Sequence, residues 1–160
     1  MADMNFSELV LSLAETPRII EQITAEVGPR NLDRRPSEKE WSILEHVCHL
    51  RDIEVEGYVV RIERIIGENA PSLADIDGDK LAEERDYIHQ DIASALADFV
   101  EARRKNVLSV KDLSEVERGR QGVFENVGPV TLDDLLLMMH NHDQEHLKEL
   151  ARLRGALAQN

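Results

Sequence analysis

Cysteine and positive charge are scarce in this chain, and long apolar runs are missing. The lone Cys48 excludes an intramolecular disulfide and agrees with a reducing setting, so the cytoplasm is the expected compartment. Nineteen Lys and Arg face 32 Asp and Glu, a formal net charge of −13. Such a charge repels phosphate backbones and anionic lipid heads, so neither nucleic acid nor a membrane surface is expected as a partner. No run of about 18 uncharged apolar residues occurs, and no basic N-terminal region leads into an apolar stretch, so neither a membrane span nor a signal peptide is expected. Repeats, low-complexity tracts and shifts of composition are lacking too. The 160 residues are expected to form one domain, 1–160, burying roughly two thirds of the surface of the unfolded chain.

What is present is helical periodicity. Phe6, Leu9, Val10, Leu13, Ile20, Ile23 and Val27 recur at spacings of three, four and seven, which predicts an amphipathic helix. Pro17 should kink or split it, lacking an amide and crowding the preceding turn, and Gly28-Pro29 ends it. A second helix is expected from Ser37 or Ser42, where Glu45 completes a capping box with Ser42, to about Ile66. Trp41, Leu44, Cys48, Val55, Val59, Ile62 and Ile66 form its apolar stripe. Beside the stripe runs a polar ridge, Glu45, His49, Asp52 and Glu56, a pattern that ordinarily marks a solvated face.

Glu68 to Asp79 reads as a loop, and Lys80 to about Ser109 as a helix whose first part is separable, with Tyr87, Ile88, Ile92, Leu96, Phe99 and Val107 inward and His89 exposed. Gly119, Gly122, Gly128 and Pro129 prevent a continuous helix over 113–130. Thr131 caps the last helix, with Asp133 and Asp134 in its first turn. Four helices with one apolar face each, and no convincing alternating strand pattern, predict an all-α four-helix bundle.

The last helix carries the chemistry. Leu132, Leu135, Leu136, Met139, Leu150, Leu153 and Leu157 share a stripe with His142 and His146, which should therefore point into the core. Four residues apart, the two imidazoles lie one turn above the other, placed to hold one metal ion from the same side. A mononuclear site needs about one more protein ligand and an open position. The second helix offers His46 and His49, and geometry leaves both open, although Glu45, one turn before His49, is placed to accept that ring's second N–H. His140 falls off the stripe. His142-Asp143-x-x-His146 invites comparison with the H-E-x-x-H zinc signature, but aspartate is one methylene shorter and the downstream ligand pattern is missing, so no zinc protease is expected.

Trp41-Ser42-Ile43-Leu44-Glu45-His46-Val47-Cys48-His49-Leu50 resembles the W-S-x-x-E-x-x-x-H-L element of the DinB-like (DinB/YfiT) superfamily, and His142-Asp143-Gln144-Glu145-His146-Leu147 resembles its C-terminal H-D-x-x-H-L element. Arg103 and Gly128-Pro129-Val130-Thr131-Leu132 also occur where such chains carry similar residues. The resemblance spans roughly Ser37 to Leu153. It implies a bundle holding a divalent metal, Zn, Ni, Fe or Mn, on His49, His142 and His146, which decides between His46 and His49. It further implies either a transferase using a low-molecular-weight thiol or a metal-dependent hydrolase acting on a small molecule. Glu45, Asp52 and Asp143 are the candidates for orienting ligands or moving protons. The alternatives are a non-catalytic protein that binds a metal or small ligand and a structural homodimer with a vestigial site. Lys148-Glu149 replaces the glycine-glutamine pair often found after the last histidine, a departure that touches substrate contacts rather than the triad.

Overall fold

The computed structural model describes residues 4–158. The first helix, α1 (Phe6–Val27), opens on a capping box between Asn5 and Glu8. Pro17 sits inside α1 without splitting it. Having no amide, it cannot serve the Leu13 carbonyl one turn back, and Arg103 Nη1 donates to that carbonyl instead, at 2.9 Å. A long-range partner thus supplies the bond that the local sequence withholds, and the helix continues.

The second helix, α2 (Ile43–Asp52), starts at the Ser42–Glu45 capping box. Every residue from Ile43 to Leu50 is buried. The chain then passes through one π-helical segment (Ile53–Tyr58) into α3 (Val59–Gly67) without leaving the helical region. A π turn inserts an extra residue and rotates everything after it relative to everything before. Val55, expected on the apolar stripe, is consequently 41% exposed, while Glu54, Tyr58 and Arg61 are buried. The ridge expected to be solvated is also buried at Glu45, His49 and Asp52. Arg35 covers Glu45, and α4 (Gly78–Glu84) and a 3-10 turn (Tyr87–His89), both packed on α2, cover His49 and Asp52.

The first part of the 80–109 segment is separate, as expected: the left-handed Asp86 (φ 50°) breaks the chain before α5 (Ile92–Val110). The 113–130 region folds as a short helix, α6 (Glu115–Arg118), and a hairpin of β2 (Gln121–Phe124) and β3 (Gly128–Thr131). The loop segment before α4 contributes β1 (Ser72–Leu73), parallel to β2, so the sheet order is β1-β2-β3, with Val123 opposite both Ser72 and Pro129. The expectation of no strands is corrected here. These strands are two to four residues long and include Gly and Pro, too short to show alternation. Thr131 ends β3 and caps α7 (Leu132–Leu157).

The bundle comprises α1, the α2–α3 helix, α5 and α7. Its apolar core forms two clusters. One gathers Leu9, Leu13, Ile62, Ile65, Val110, Leu135 and Met139; the other gathers Ile20, Ile43, Val47, Phe99, Leu150 and Leu153. On each long helix the residues between these clusters include buried polar ones: Thr16, Glu54, Arg103 and Asn106, and Asp143. The metal-ligand candidates lie at the same level.

Candidate metal centre

His49, His142 and His146 each bring one ring nitrogen within 4.8 Å of the others. His49 is held by the buried α2, and the other two by successive turns of α7. His49 Nε2 and His142 Nε2 face each other at 3.0 Å. Two neutral imidazoles in that arrangement share one proton between two lone pairs, and a cation can take that proton's place. His146 turns its Nδ1 to His46 Nδ1 at 2.9 Å, leaving Nε2 as its second nitrogen. Trp41 packs against the group, its ring centroid 5.0 Å from that of His49 and near-parallel to His146. Gly78 lies against the His49 ring on its Cε1–Nδ1 edge, where an added Cβ would collide with both atoms. The donor set, three convergent neutral imidazole nitrogens with one ring backed closely by Gly78, fits a divalent ion.

Two expectations about this neighbourhood are corrected. His142 and His146 are only half-buried, and the core-facing residue at mid-helix is Asp143. Glu45 does not hold His49, because its carboxylate is claimed by Arg35 and by the Ser42 amide. Burial alone would raise Glu45; Arg35 and the Ser42 cap hold it below the usual carboxylate range. His49 Nδ1 is left buried without a hydrogen-bond partner.

The other two candidate carboxylates are also committed. Asp52 accepts from Arg51 Nε (2.8 Å), Arg85 Nη1 (2.9 Å) and the Tyr87 hydroxyl (2.5 Å). Asp143 accepts from Arg103 through both oxygens, at 2.6 and 2.9 Å, and from the Thr16 hydroxyl at 2.9 Å. Arg103 completes its five N–H bonds on Glu54 (2.7 and 2.9 Å) and on the Leu13 carbonyl, and Asn106 donates to Glu54 at 2.8 Å. Asp143 therefore anchors α7 beside His142. Of the remaining histidines, His140 pairs with Ser12 on α1 at 3.1 Å, and His89 is exposed beside Asp86.

Burial, then the neighbouring His142, pushes His49 down to about 3; the same causes in the same order push His146 down to about 2. Burial also lowers His46 and His142. All four are neutral at pH 7, the form a metal requires. In the unfolded chain such imidazoles protonate near 6.5. Below about 6.5 the unfolded state therefore takes up protons that the folded state refuses, and the metal-free protein loses stability as pH falls, by up to about 1.4 kcal/mol per pH unit per histidine. The urea midpoint of the metal-free protein is expected to fall steadily from pH 7 to pH 5. Replacing His146 by alanine should flatten that fall, and an equally steep profile in the variant would contradict it.

A family model described as the DinB superfamily matches residues 12–150. The chain belongs to the DinB superfamily. Among solved structures it is similar to YfiT from Bacillus subtilis, described as a probable metal-dependent hydrolase with an unusual four-helix bundle topology. The TM-score is 0.81 at 20% identity, covering 97% of this chain and 90% of that one. No curated protein sequence matches significantly.

Beside the histidines, this DinB-superfamily chain holds a cavity of about 460 Å³, lined by His49 and His142 on one wall and by Tyr58, Arg61, Phe124 and Glu145 among others. Tyr58, Arg61 and Glu145 are site residues that the sequence reading missed. Burial raises the Tyr58 phenol, keeping it protonated as a donor. Glu145, between the two α7 ligands, is an exposed carboxylate lining the cavity with no hydrogen bond or ion pair among the described residues. Its signal was its position inside the His142–His146 motif; that of Tyr58 and Arg61 was hidden by the π segment. A second cavity, about 310 Å³, lies on the other side of the cluster against Trp41, His46 and His146.

Proposed function

We propose that this protein is a divalent-metal-dependent enzyme acting on a small molecule bound in the 460 Å³ cavity, with hydrolysis as its reaction class. One observation carries the reading: the convergent nitrogens of His49, His142 and His146 stand where two of those rings also form a cavity wall. The description of YfiT as a probable metal-dependent hydrolase supports it. A divalent ion on the three imidazoles would supply Lewis acidity at that wall. His46 orients His146, and the Tyr58 hydroxyl is a donor for a substrate oxygen. Glu145 is the free carboxylate at the cavity, suited to take or return a proton at its own oxygens. Asp143 acts as a positioning residue beside His142, and the Glu45 and Asp52 carboxylates, likewise bound to arginine, are not free to move protons.

The second cavity favours a second reading. A transferase needs room for two reactants, and the space beside His146 and Trp41 suits a low-molecular-weight thiol. Protein loaded separately with Zn, Ni, Fe or Mn and offered nitrophenyl esters and anilides, then glutathione with chlorodinitrobenzene, separates the readings. Metal-dependent turnover of the first set supports hydrolysis, and thiol-dependent turnover of the second supports transfer. Glu145→Gln should lower kcat by roughly 10²–10⁴ with unchanged metal content. Fully loaded protein inert toward both sets would leave a non-catalytic metal or ligand binder.

A further inference from the structure

We propose that the cavity takes a small organic acid, an apolar body ending in one carboxylate, and that Arg61 receives that carboxylate. The inference rests on reading the cavity as the substrate chamber. Two buried arginines, Arg103 and Arg61, differ in how their charge is matched. Arg103 directs all five N–H groups at two carboxylates and a carbonyl, so its charge is matched within the protein. Arg61, only 4% exposed, spends Nε and Nη2 on the single Ala74 carbonyl, at 3.0 and 2.9 Å. Its nearest carboxylate, Asp75, is 3.9 Å away and half exposed, and Nη1 donates to nothing among the described residues. A buried guanidinium without a close counter-ion is an unfavourable placement unless a ligand completes it.

The protein nonetheless fixes this group. The Phe124 ring lies under it with its centroid 4.5 Å from Cζ, and Tyr58 flanks it at 5.5 Å. Gly57 leaves room beside it: a Cβ at residue 57 would lie 3.0 Å from Nη1 and 3.3 Å from Cζ. The residue so held lines the cavity that His49 and His142 also line. Ile53, Ile76 and Met138 supply apolar wall between, which suits an apolar body with its anionic end at Arg61. Asp75 and Glu145 line the same space and oppose a dianion, so a planar monoanion fits better than a phosphate.

Calorimetric titration of the metal-loaded full-length protein with phenylacetate and its neutral isostere phenylacetamide tests this. Phenylacetate should bind at least about tenfold more tightly. Arg61→Gln should bring the two to parity with metal content unchanged. Absence of phenylacetate binding, or equal affinity for the amide in the unmodified protein, overturns the proposal and requires no variant to fold. A preference that survives in Arg61→Gln also overturns it. If that surviving preference disappears in His146→Ala, the carboxylate sits on the metal, and the metal-dependent reading stands while the Arg61 assignment fails. If the unmodified protein binds no metal, that reading fails, and the same comparison on metal-free protein still decides Arg61.

Discussion

Alanine in place of His142 or His146 is expected to abolish stoichiometric metal binding, whereas alanine in place of His140 should leave it at about one equivalent. The hierarchy follows from where the rings point. His49 and His142 meet through Nε2 at 3.0 Å, and His146 completes the set from one turn further along α7, so losing any of the three leaves two imidazoles. His140 is engaged with Ser12 on α1 instead. His46 is the discriminating case. It touches His146 Nδ1 at 2.9 Å and lies outside the cluster of three, so His46→Ala should keep the stoichiometry and weaken affinity by roughly 10- to 100-fold, the usual effect of losing a partner that orients a ligand. Elemental analysis of tag-free protein loaded with Zn, Ni, Fe or Mn gives the stoichiometry, and competition with a chelator gives the affinity. A loss at His46 equal to that at His146 would reassign the third ligand.

The parts of this fold that could be read from the sequence are those fixed within a few residues. The caps Ser42–Glu45 and Thr131–Asp134 are local hydrogen-bond exchanges, and the helices begin there. The break before α5 was legible as a separable first part, whereas its cause, a left-handed Asp86, was not. The strands lay hidden because two to four residues cannot display a period. In the site, the periodicity of α7 set Leu132, Leu135, Leu136, Met139, Leu150 and Leu153 inward and brought His142 and His146 to one side of the helix, but it overlooked Asp143, which takes the core position at that level while the two rings lie half-buried at its edge. The choice of His49 over His46 came from family resemblance rather than spacing. Two features were beyond any local reading. The π segment shifts the register after Asp52, so a 3.6-residue stripe assigns Val55 inward and overlooks Glu54, Tyr58 and Arg61. The partners of Arg103 lie 40 and 49 residues away in sequence, so nothing near residue 103 announces them.

Replacing Arg103 by methionine is expected to destabilise the protein by about 3–5 kcal/mol, because it leaves Glu54 and Asp143 as buried carboxylates without their shared cation. Against a typical total of roughly 5–15 kcal/mol, that is a large fraction of the folding free energy. Thr16→Val removes one bond to Asp143 and should cost less, about 1.5–3 kcal/mol. Pro17 supplies a sharper test. Its missing amide is the reason the Leu13 carbonyl accepts from Arg103, so Pro17→Ala offers that carbonyl a donor of its own. In the Arg103→Met background the restored amide should recover about 1 kcal/mol more than it contributes in the unmodified protein. Urea unfolding of the two single variants and the double variant measures this coupling. Additive effects would mean that the carbonyl gains nothing from Arg103, and a cost below about 1 kcal/mol for Arg103→Met would mean that the carboxylates find other partners. Because Asp143 adjoins His142, the same loss should reach the metal: Arg103→Met protein that remains folded is expected to bind the ion more weakly than Thr16→Val protein, in the order of the damage done to Asp143.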